Sequence, residues 1–325
     1  MNSQLKINKT KSNGILNRLH QFDWQGSIVY IGFVALFLFF AVLLRDSGFL
    51  STNNLLNIVR QTAIISVMAV AMTFVISAGE IDLSVGAVAG LASVTTALTI
   101  GQYGVAAGIF IGLLTGMIIG GLNGMLVTVI GVPSFLVTLG MMGVARGSAM
   151  WMTDTAPVPI QNDWYNNVFG SGSVGSVPSL MIWMVLALII GHVILRKTPY
   201  GRQVLATGGN VAAARFSGVN TNRIKFLVLM VCSIVAAMAG MLYAGRLHTG
   251  RFQLGEGDEL SVIAAVILGG TSLFGGSGTI VGTVVGALMI GLINNGLILM
   301  GLEVSQQIII RGAIIILAVA LGRKQ

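Results

Sequence analysis

The chain has 325 residues, of which 55% are hydrophobic and 9% are charged, and it carries a formal net charge of +8. Soluble domains contain about 25% charged residues, so this composition excludes an ordinary soluble protein and indicates a polytopic membrane protein. The basic residues lie beside apolar segments and are not interleaved with aromatic residues, so the charge reflects membrane topology and no nucleic-acid partner is predicted.

Ten apolar segments approach the roughly 20 residues that a membrane-spanning helix needs. The first segment follows four basic residues but lacks a small-residue cleavage site, so it is interpreted as an uncleaved span. Residues 1–27 are predicted to be a cytoplasmic N-terminal segment, and residues 28–325 a single transmembrane domain. The predicted spans are 28–44, 62–77, 83–100, 105–125, 134–152, 180–195, 226–244, 260–273, 280–300 and 308–321.

The basic residues predict the orientation of these spans. With a cytoplasmic N-terminus, twelve of the 18 Lys and Arg residues lie inside, four lie outside, and Arg146 and Arg311 lie within spans. Basic residues favour the cytoplasmic side, so both termini and the polar connector 196–225 are predicted to be cytoplasmic. The two arginines within spans lie near span ends, where a long side chain can reach the interface.

The segment between the second and third spans contains Gly79, Glu80, Asp82 and Ser84, which predict a helix break or a re-entrant turn. Charged groups at membrane depth usually mark function, so Glu80, Asp82 and Ser84 are candidates to line a solute path or to hold a gate. The alternative is that the acids are helix-start residues, because a helix dipole favours negative charge at its N-terminus.

Glycine recurs at every fourth residue of the fourth span, at positions 104, 108, 112, 116, 120 and 124. This spacing lines one helix face with glycine, so another helix can approach closely. The ninth span repeats the pattern at positions 278, 282 and 286. Both patterns predict a dense helix bundle.

Two short matches suggest an internal repeat. Asp-Leu-Ser-Val at 82–85 precedes the third span, and Glu-Leu-Ser-Val at 259–262 precedes the eighth; an Asn-Gly step follows one span later in each case, at Asn123 and Asn295. An offset of five spans reverses the orientation, which predicts an inverted repeat with broken helices near the solute path. Chance similarity in a chain rich in Gly, Leu and Val is the alternative.

Neutral polar residues within spans are the better candidates for a path that carries an uncharged solute. They are Asn123, Thr138, Asn294 and Asn295. Asn and Thr also form hydrogen bonds between helices, so a structural role is the alternative.

No catalytic, cofactor or metal site is predicted. The chain has no Gly-Lys pair and hence no phosphate-binding loop, and its three histidines and single cysteine are too dispersed for a metal motif. Uphill transport would therefore draw energy from a partner or an ion gradient.

Two polar regions are candidates for contacts with other proteins. The outer loop 153–177, with Trp164 and Tyr165, and the outer segment 246–259, with Arg246 and Arg251, form a candidate docking surface or are simply solvated.

The connector 196–225 has six basic residues and no acidic one. Asn210 as N-cap and Gly218 after the C-terminus predict a short helix over 211–217, too short to be stable in water without packing. The alternative is a solvated connector that is retained for its charge.

Four segments are informative when taken together: 49–55 (FLSTNNL), 79–86 (GEIDLSVG), 200–218 with Tyr-Gly-Arg, Gly-Gly-Asn and Ala-Ala-Arg-Phe-Ser-Gly, and 264–273 (AAVILGGTSL). On these segments, the sequence from Phe49 to Leu321 resembles the membrane permeases of ribose and other simple-sugar ABC importers. Glu80 stands where a small residue often precedes Ile-Asp-Leu-Ser in that family.

The resemblance implies an all-α type II ABC importer permease fold in a bacterial cytoplasmic membrane, with the solute path at the two-fold interface of a pair of permeases. The implied partners are a second permease copy or a related permease, cytoplasmic ABC ATPase subunits and a periplasmic or extracellular sugar-binding protein. The connector is then the coupling segment that docks on the ATPase. Its implied coupling residues are Gly201, Arg202, Gly208, Gly209, Asn210, Ala213, Arg215 and Gly218.

The resemblance leaves the solute open. Related permeases carry nucleosides, branched-chain amino acids or a sugar-derived signalling molecule, whereas a neutral polar path fits a simple sugar best. The competing class is an ion-coupled secondary transporter that uses Glu80 and Asp82 as coupling acids.

Overall fold

The computed structural model describes residues 24–322, without the side chains of residues 24–28, 311, 315 and 317–322. Most of the predicted segment 1–27 lies outside the described residues, as does the side chain of Arg311. The helices are α1 (Trp24–Leu43), α2 (Thr52–Ser77), α3 (Val85–Tyr103), α4 (Val105–Met125), α5 (Ser134–Thr153), α6 (Asp163–Asn166), α7 (Ser179–Lys197), α8 (Pro199–Gly209), α9 (Val211–Phe216), α10 (Thr221–Leu247), α11 (Asp258–Leu268), α12 (Ile280–Leu299) and α13 (Val304–Gly322).

The strands in the described part of the chain are two residues long and form two small antiparallel pairs. β1 (Val158–Pro159) pairs with β4 (Thr249–Gly250), and β2 (Ser173–Val174) pairs with β3 (Val177–Pro178). The remaining regular elements are a 3₁₀ turn at Arg45–Ser47 and π turns at Leu126–Ile130 and Asn167–Ser171.

Seven of the described helices are long and apolar enough to cross a membrane. They are α2, α3, α4 with the π turn that extends it to Ile130, α5, α7, α10 and α12. The buried apolar core lies mainly among α2, α3, α10 and α12, whereas α4, α5 and α7 expose most of their surface. The prediction of an all-α polytopic membrane protein is therefore confirmed.

Two helices begin earlier than predicted because each has an N-cap residue in the polar sequence before it. Ser51 Oγ accepts a hydrogen bond from the Asn54 backbone N–H, so α2 begins at Thr52 and not at residue 62. Asn220 Oδ1 accepts one from the Arg223 backbone N–H at 3.0 Å, so α10 begins five residues before the predicted Phe226.

The close helix packing predicted from the glycine spacing is confirmed. A Cβ added at Gly116 would lie 2.5 Å from Ser233 O of α10, and one at Gly120 would lie 2.7 Å from the Met230 Cα. In α12, Gly282 and Gly286 face the C-terminal end of α11 in the same way. Gly104 differs from the prediction, since it lies between α3 and α4 with a φ of +84°, and a Cβ added there would have no neighbour within 4 Å.

The chain re-enters the bundle after α10. A Cβ at Gly90 of α3 would lie 2.6 Å from Phe252 O, and Gly86 contacts Gly255. Ser93 Oγ accepts a hydrogen bond from the Arg251 backbone N–H at 3.2 Å. Residues 250–257, called the re-entrant segment here, therefore run back along about seven residues of α3, a distance of about 10 Å at 1.5 Å per residue.

The eighth predicted span, 260–273, is wrong in its extent. α11 has 11 residues and ends at Leu268. It is therefore about 16 Å long, half of the roughly 30 Å that a hydrocarbon core measures. The chain continues as a glycine turn, residues 269–279, in which Gly270, Gly275 and Gly276 have φ values of +87°, +83° and +79°, a conformation that terminates the helix.

Candidate translocation and coupling site

The helix break predicted after the second span is present as residues 78–84, called the break segment here. Gly79 has a φ of +80°, which allows the chain to turn back at the end of α2. Asp82 is fully buried, and its Oδ1 accepts hydrogen bonds from the Ser84 backbone N–H at 2.8 Å and from the Ser84 hydroxyl at 2.6 Å. This local contact orders the start of α3, as the helix-start interpretation of Asp82 requires.

Three polar side chains from neighbouring helices hold the break segment. Ser134 and Thr138 of α5 accept hydrogen bonds from its backbone N–H groups at 3.2 and 3.1 Å. Asn123 of α4 donates to the Ser84 hydroxyl at 3.1 Å. Because Asp82, Ser84, Asn123 and Thr138 are all fully buried, these sequence-predicted path residues surround the break but do not line an open channel in this conformation.

Glu80 forms an ion pair with the N-terminal end of α10. Lys225 Nζ lies 2.5 Å from Glu80 Oε1, and the two side chains are 23% and 8% exposed. Removal of two charges from water is costly unless they are paired, so this contact fixes the break segment to the helix that follows the connector.

The connector contacts both interruptions of the helix bundle. Gly208 of α8 packs directly on the Ser77 carbonyl at the end of α2, and a Cβ there would overlap that atom. The Gly276 N–H in the glycine turn donates to the same carbonyl at 3.0 Å. The break segment, the glycine turn and the connector therefore meet at one joint, formed by Ser77, Gly208 and Gly276.

The short helix predicted within the connector is confirmed as α9. Asn210 Oδ1 accepts a hydrogen bond from the Ala213 backbone N–H at 3.0 Å, and Gly218 follows the helix with a φ of +83°. Arg215 donates to Thr221 Oγ1 at 2.8 Å, which joins α9 to the first residue of α10. A movement of α9 would therefore reach α10 directly.

A family of membrane permeases, described as Branched-chain amino acid transport system / permease component, matches residues 54–319. The chain belongs to this permease family. The ribose import permease protein RbsC of Bacillus subtilis (strain 168) is 41% identical over 296 residues, which are 90% of this chain and 92% of that protein. The L-arabinose ABC transporter permease protein AraH of Azospirillum brasilense is 35% identical over 288 residues, which are 88% of this chain and 84% of that protein.

A third relative of the permease is the xylose transport system permease protein XylH of Escherichia coli (strain K12), which is 30% identical over 98% of this chain and 96% of that protein. No solved structure matches the chain. The resemblance to permeases of simple-sugar ABC importers, inferred from the sequence, is therefore confirmed.

The coupling candidates of the permease fall into two groups. Gly201 packs against the end of α7, Gly208 against α2, and a Cβ at Gly209 would lie 3.6 Å from the Gly276 Cα, so these glycines serve packing within the chain. Arg202 and Ala213 are exposed, and so is Phe216, which sequence reasoning did not select. Phe216 is 95% exposed at the last position of α9.

Asn294 and Asn295 do not join the cluster at the break segment. Asn295 and Asn54 exchange side-chain hydrogen bonds of 2.8 and 3.0 Å, which tie α12 to the start of α2. Asn294 Oδ1 is buried without a hydrogen-bond partner in the described part of the chain. The geometry of Asn295 fits the alternative of a hydrogen bond between helices.

The four residues predicted to form a docking surface also differ in exposure. Trp164 is 59% exposed, and Arg251 is exposed. Tyr165 is fully buried and donates to Met241 O at 3.0 Å, so its selection as a docking residue is corrected here. Arg246 is only half-buried at the end of α10. Adjacent residues of a helix point in different directions, and this places Tyr165 inside and Trp164 outside.

Sequence reasoning missed several residues that the permease uses. Lys225 was counted as a topogenic charge, and Arg146 was placed near a span end, but each forms an ion pair, with Glu80 and Glu256 respectively. Helix α8 was also missed, although Thr198 as N-cap and Pro199 at the first helical position are ordinary start signals. The ion pairs left no comparable local signal.

Proposed function

We propose that this permease is the membrane subunit of an ATP-driven importer of a neutral monosaccharide similar in size to ribose. The observation that carries the proposal is the joint of Ser77, Gly208 and Gly276, where the connector touches both helix interruptions. The names of the relatives, which refer to ribose, L-arabinose and xylose, support a simple sugar as the solute.

The break segment acts as the inner gate. It is held by hydrogen bonds from α4 and α5 and by the ion pair of Glu80 with Lys225. A rotation of the connector would displace Gly208 from the Ser77 carbonyl and Lys225 from Glu80 together, and so release the segment. Asn123 and Thr138 would then present their polar groups to an uncharged solute.

The permease has ten membrane-crossing elements, an inverted repeat and cytoplasmic termini. α2 packs against α11 and α12, and α10 packs against α3 and α4, which is the exchange of partners expected if α2–α4 and α10–α12 are repeats. Helices α1 and α13 and the pair made by the re-entrant segment and α11 complete the ten. The positive charge of the connector supports its cytoplasmic position.

The permease works with three kinds of partner. A second copy or a related permease encloses the path, ATPase subunits bind the exposed face of α9, and an external sugar-binding protein docks near Trp164 and Arg251. Phe216, flanked by Arg215, supplies an exposed aromatic anchor for the ATPase, a residue type that often dominates interfaces.

Reconstitution tests the proposal. Vesicles that contain the permease, its ATPase and its sugar-binding protein are expected to accumulate ribose only when ATP is present on the side of the membrane where the ATPase lies. A hydrolysis-deficient ATPase should abolish uptake. Uptake by the permease alone, driven by a proton or sodium gradient and independent of ATP, would refute the proposal and favour an ion-coupled secondary transporter.

A further inference from the structure

The fully buried Asp82 side chain has only one of its two carboxyl oxygens hydrogen bonded. Oδ1 accepts from the backbone N–H and from the hydroxyl of Ser84, at 2.8 and 2.6 Å. Oδ2 is buried and has no hydrogen-bond partner in the described part of the chain. An ionised carboxylate offers acceptors at both oxygens, whereas a neutral carboxylic acid accepts at one and donates from the other. The hydrogen bonds of Asp82 therefore match a neutral acid.

Among the described residues, no cationic side chain is paired with Asp82. On α10, Lys225 is already paired with Glu80, and Cys232, which interacts electrostatically with Asp82, carries no positive charge. On α5, Arg146 lies about 18 Å from the start of the helix, where the break segment is bound. Helices α3 and α4 have no charged side chain, and the arginine of α2 lies about 25 Å before the break. A carboxylate at Asp82 would therefore be a buried charge without compensation.

A second buried oxygen in the same cluster also lacks a donor. Asn123 donates to the Ser84 hydroxyl at 3.1 Å, and its Oδ1 is buried without a partner in the part of the chain that the structure describes. Asn123 and Asp82 thus bind the same hydroxyl, and each leaves one acceptor oxygen unpaired. A proton on Asp82 converts one of these acceptors into a donor, which is the group that the cluster lacks.

The protonation of Asp82 depends on its burial. Burial raises the pKa of the Asp82 carboxyl, and the hydrogen bonds from Ser84 offset only part of that rise. In water the pKa of an aspartic acid is about 4, so the same group would be ionised at neutral pH. Any movement that brings water to the break segment therefore favours loss of the proton.

We propose that Asp82 is a proton-binding site of the break segment, which holds one proton in this conformation and releases it to water when the segment opens. In that step the O–H bond of the carboxylic acid breaks, the carboxylate keeps the electron pair, and water accepts the proton. The energy for transport still comes from the ATPase. This inference rests on the proposed function, in which the break segment opens, and adds a proton to that opening.

Infrared difference spectroscopy tests the protonation state directly. The spectrum of the purified unmodified permease at pH 7, minus that of Asp82→Asn, should contain the C=O stretching band of a neutral carboxylic acid. Asp163→Asn is the control, because Asp163 is an exposed acid in the first turn of α6. Its difference spectrum should lack that band. Absence of the band for Asp82, or a band of equal size for the control, would overturn the proposal.

Thermal unfolding between pH 5 and pH 7 supplies a second measurement. An acid whose pKa is raised by folding stabilises the protein fully below the pKa of the unfolded chain, and this stabilisation is lost as the pH rises toward the pKa of the folded protein. Relative to Asp82→Asn, the folded-to-unfolded ratio of the unmodified permease should fall about tenfold per pH unit, or about 3 °C in melting temperature.

Three results of this measurement would contradict the proton. A difference between the two proteins that is independent of pH indicates an ionised Asp82. Stabilisation of the unmodified permease alone by sodium, at constant ionic strength, would identify a metal cation instead. Failure of Asp82→Asn to accumulate would also count against the proposal, because the amide reproduces the donor and the acceptor of the neutral acid.

Uptake links the proton to opening. In vesicles with the ATPase and the sugar-binding protein, the rate of ribose uptake by the unmodified permease, divided by that of Asp82→Asn, should rise with the pH on the ATPase side, by up to about tenfold per unit. A ratio that is independent of pH would overturn the release step. Absence of ATP-driven uptake by the unmodified permease refutes the proposed function, whereas normal uptake without the carboxylic acid band refutes this inference alone.

Discussion

Replacement of Lys225 by Met probes the contact between the break segment and α10. The variant leaves the carboxylate of Glu80, which is 8% exposed, without its partner. Loss of one member of a buried ion pair costs about 3–5 kcal/mol, and the lower end applies because Lys225 keeps 23% of its surface exposed. Glu80→Gln should cost only about 1 kcal/mol, since the longer lysine side chain can turn toward water.

The double variant Glu80→Gln with Lys225→Met should recover most of the loss, because no uncompensated charge stays buried. The assay is thermal unfolding of the purified permease. At roughly 2 °C for each kcal/mol, Lys225→Met should melt about 6 °C below the unmodified protein, and the double variant within about 2 °C of it. Equal melting temperatures for the two single variants would refute the reasoning, since a solvated pair has no such asymmetry.

Other positions give further tests. Gly208→Ala places a Cβ against the backbone of α2 and should cost roughly 1–3 kcal/mol, whereas Gly209→Ala makes only ordinary contacts; equal melting temperatures of the two would contradict the joint. Ala213→Trp on exposed α9 should block co-purification of the ATPase while the membrane abundance of the permease stays normal, and Ala156→Trp on the loop 153–177 should not. Unimpaired co-purification in Ala213→Trp would indicate that the connector only sets the membrane topology. Cysteines at the exposed positions Ala156 and Gln203 should react only from outside and only from the cytoplasm, respectively, and the reverse pattern would invert the topology.

Features with a local cause were predictable from the sequence. The glycine spacing of α4 predicted close packing, and Asn210 with Gly218 predicted α9 almost to the residue, because each signal acts within a few residues of itself. The extent of α11 was predicted wrongly because Leu273 was counted in the apolar segment across the Gly-Gly-Thr-Ser of residues 269–272. Its limit is set by the conformation of the glycine turn, for which Gly269 and Gly270 were the available signal.

The sequence indicated which residues form the candidate site better than it indicated how they contact one another. Asp82, Ser84, Asn123 and Thr138 were selected for polarity and do meet at the break segment, but as buried hydrogen-bond partners of one another and of the backbone. Burial depends on tertiary packing, which cannot be predicted from the identity of a single residue.

The joint between the connector and the two helix interruptions consists of contacts between main-chain atoms, which are possible because Gly208 has no side chain. It requires space at Gly208 and a glycine at position 276, where φ is +79°, while Ser77 takes part through its backbone carbonyl. The transmission of movement that we propose for this joint does not depend on the identity of the solute. Chimaeras that exchange the connector between two sugar permeases should therefore change their ATPase and keep their sugar.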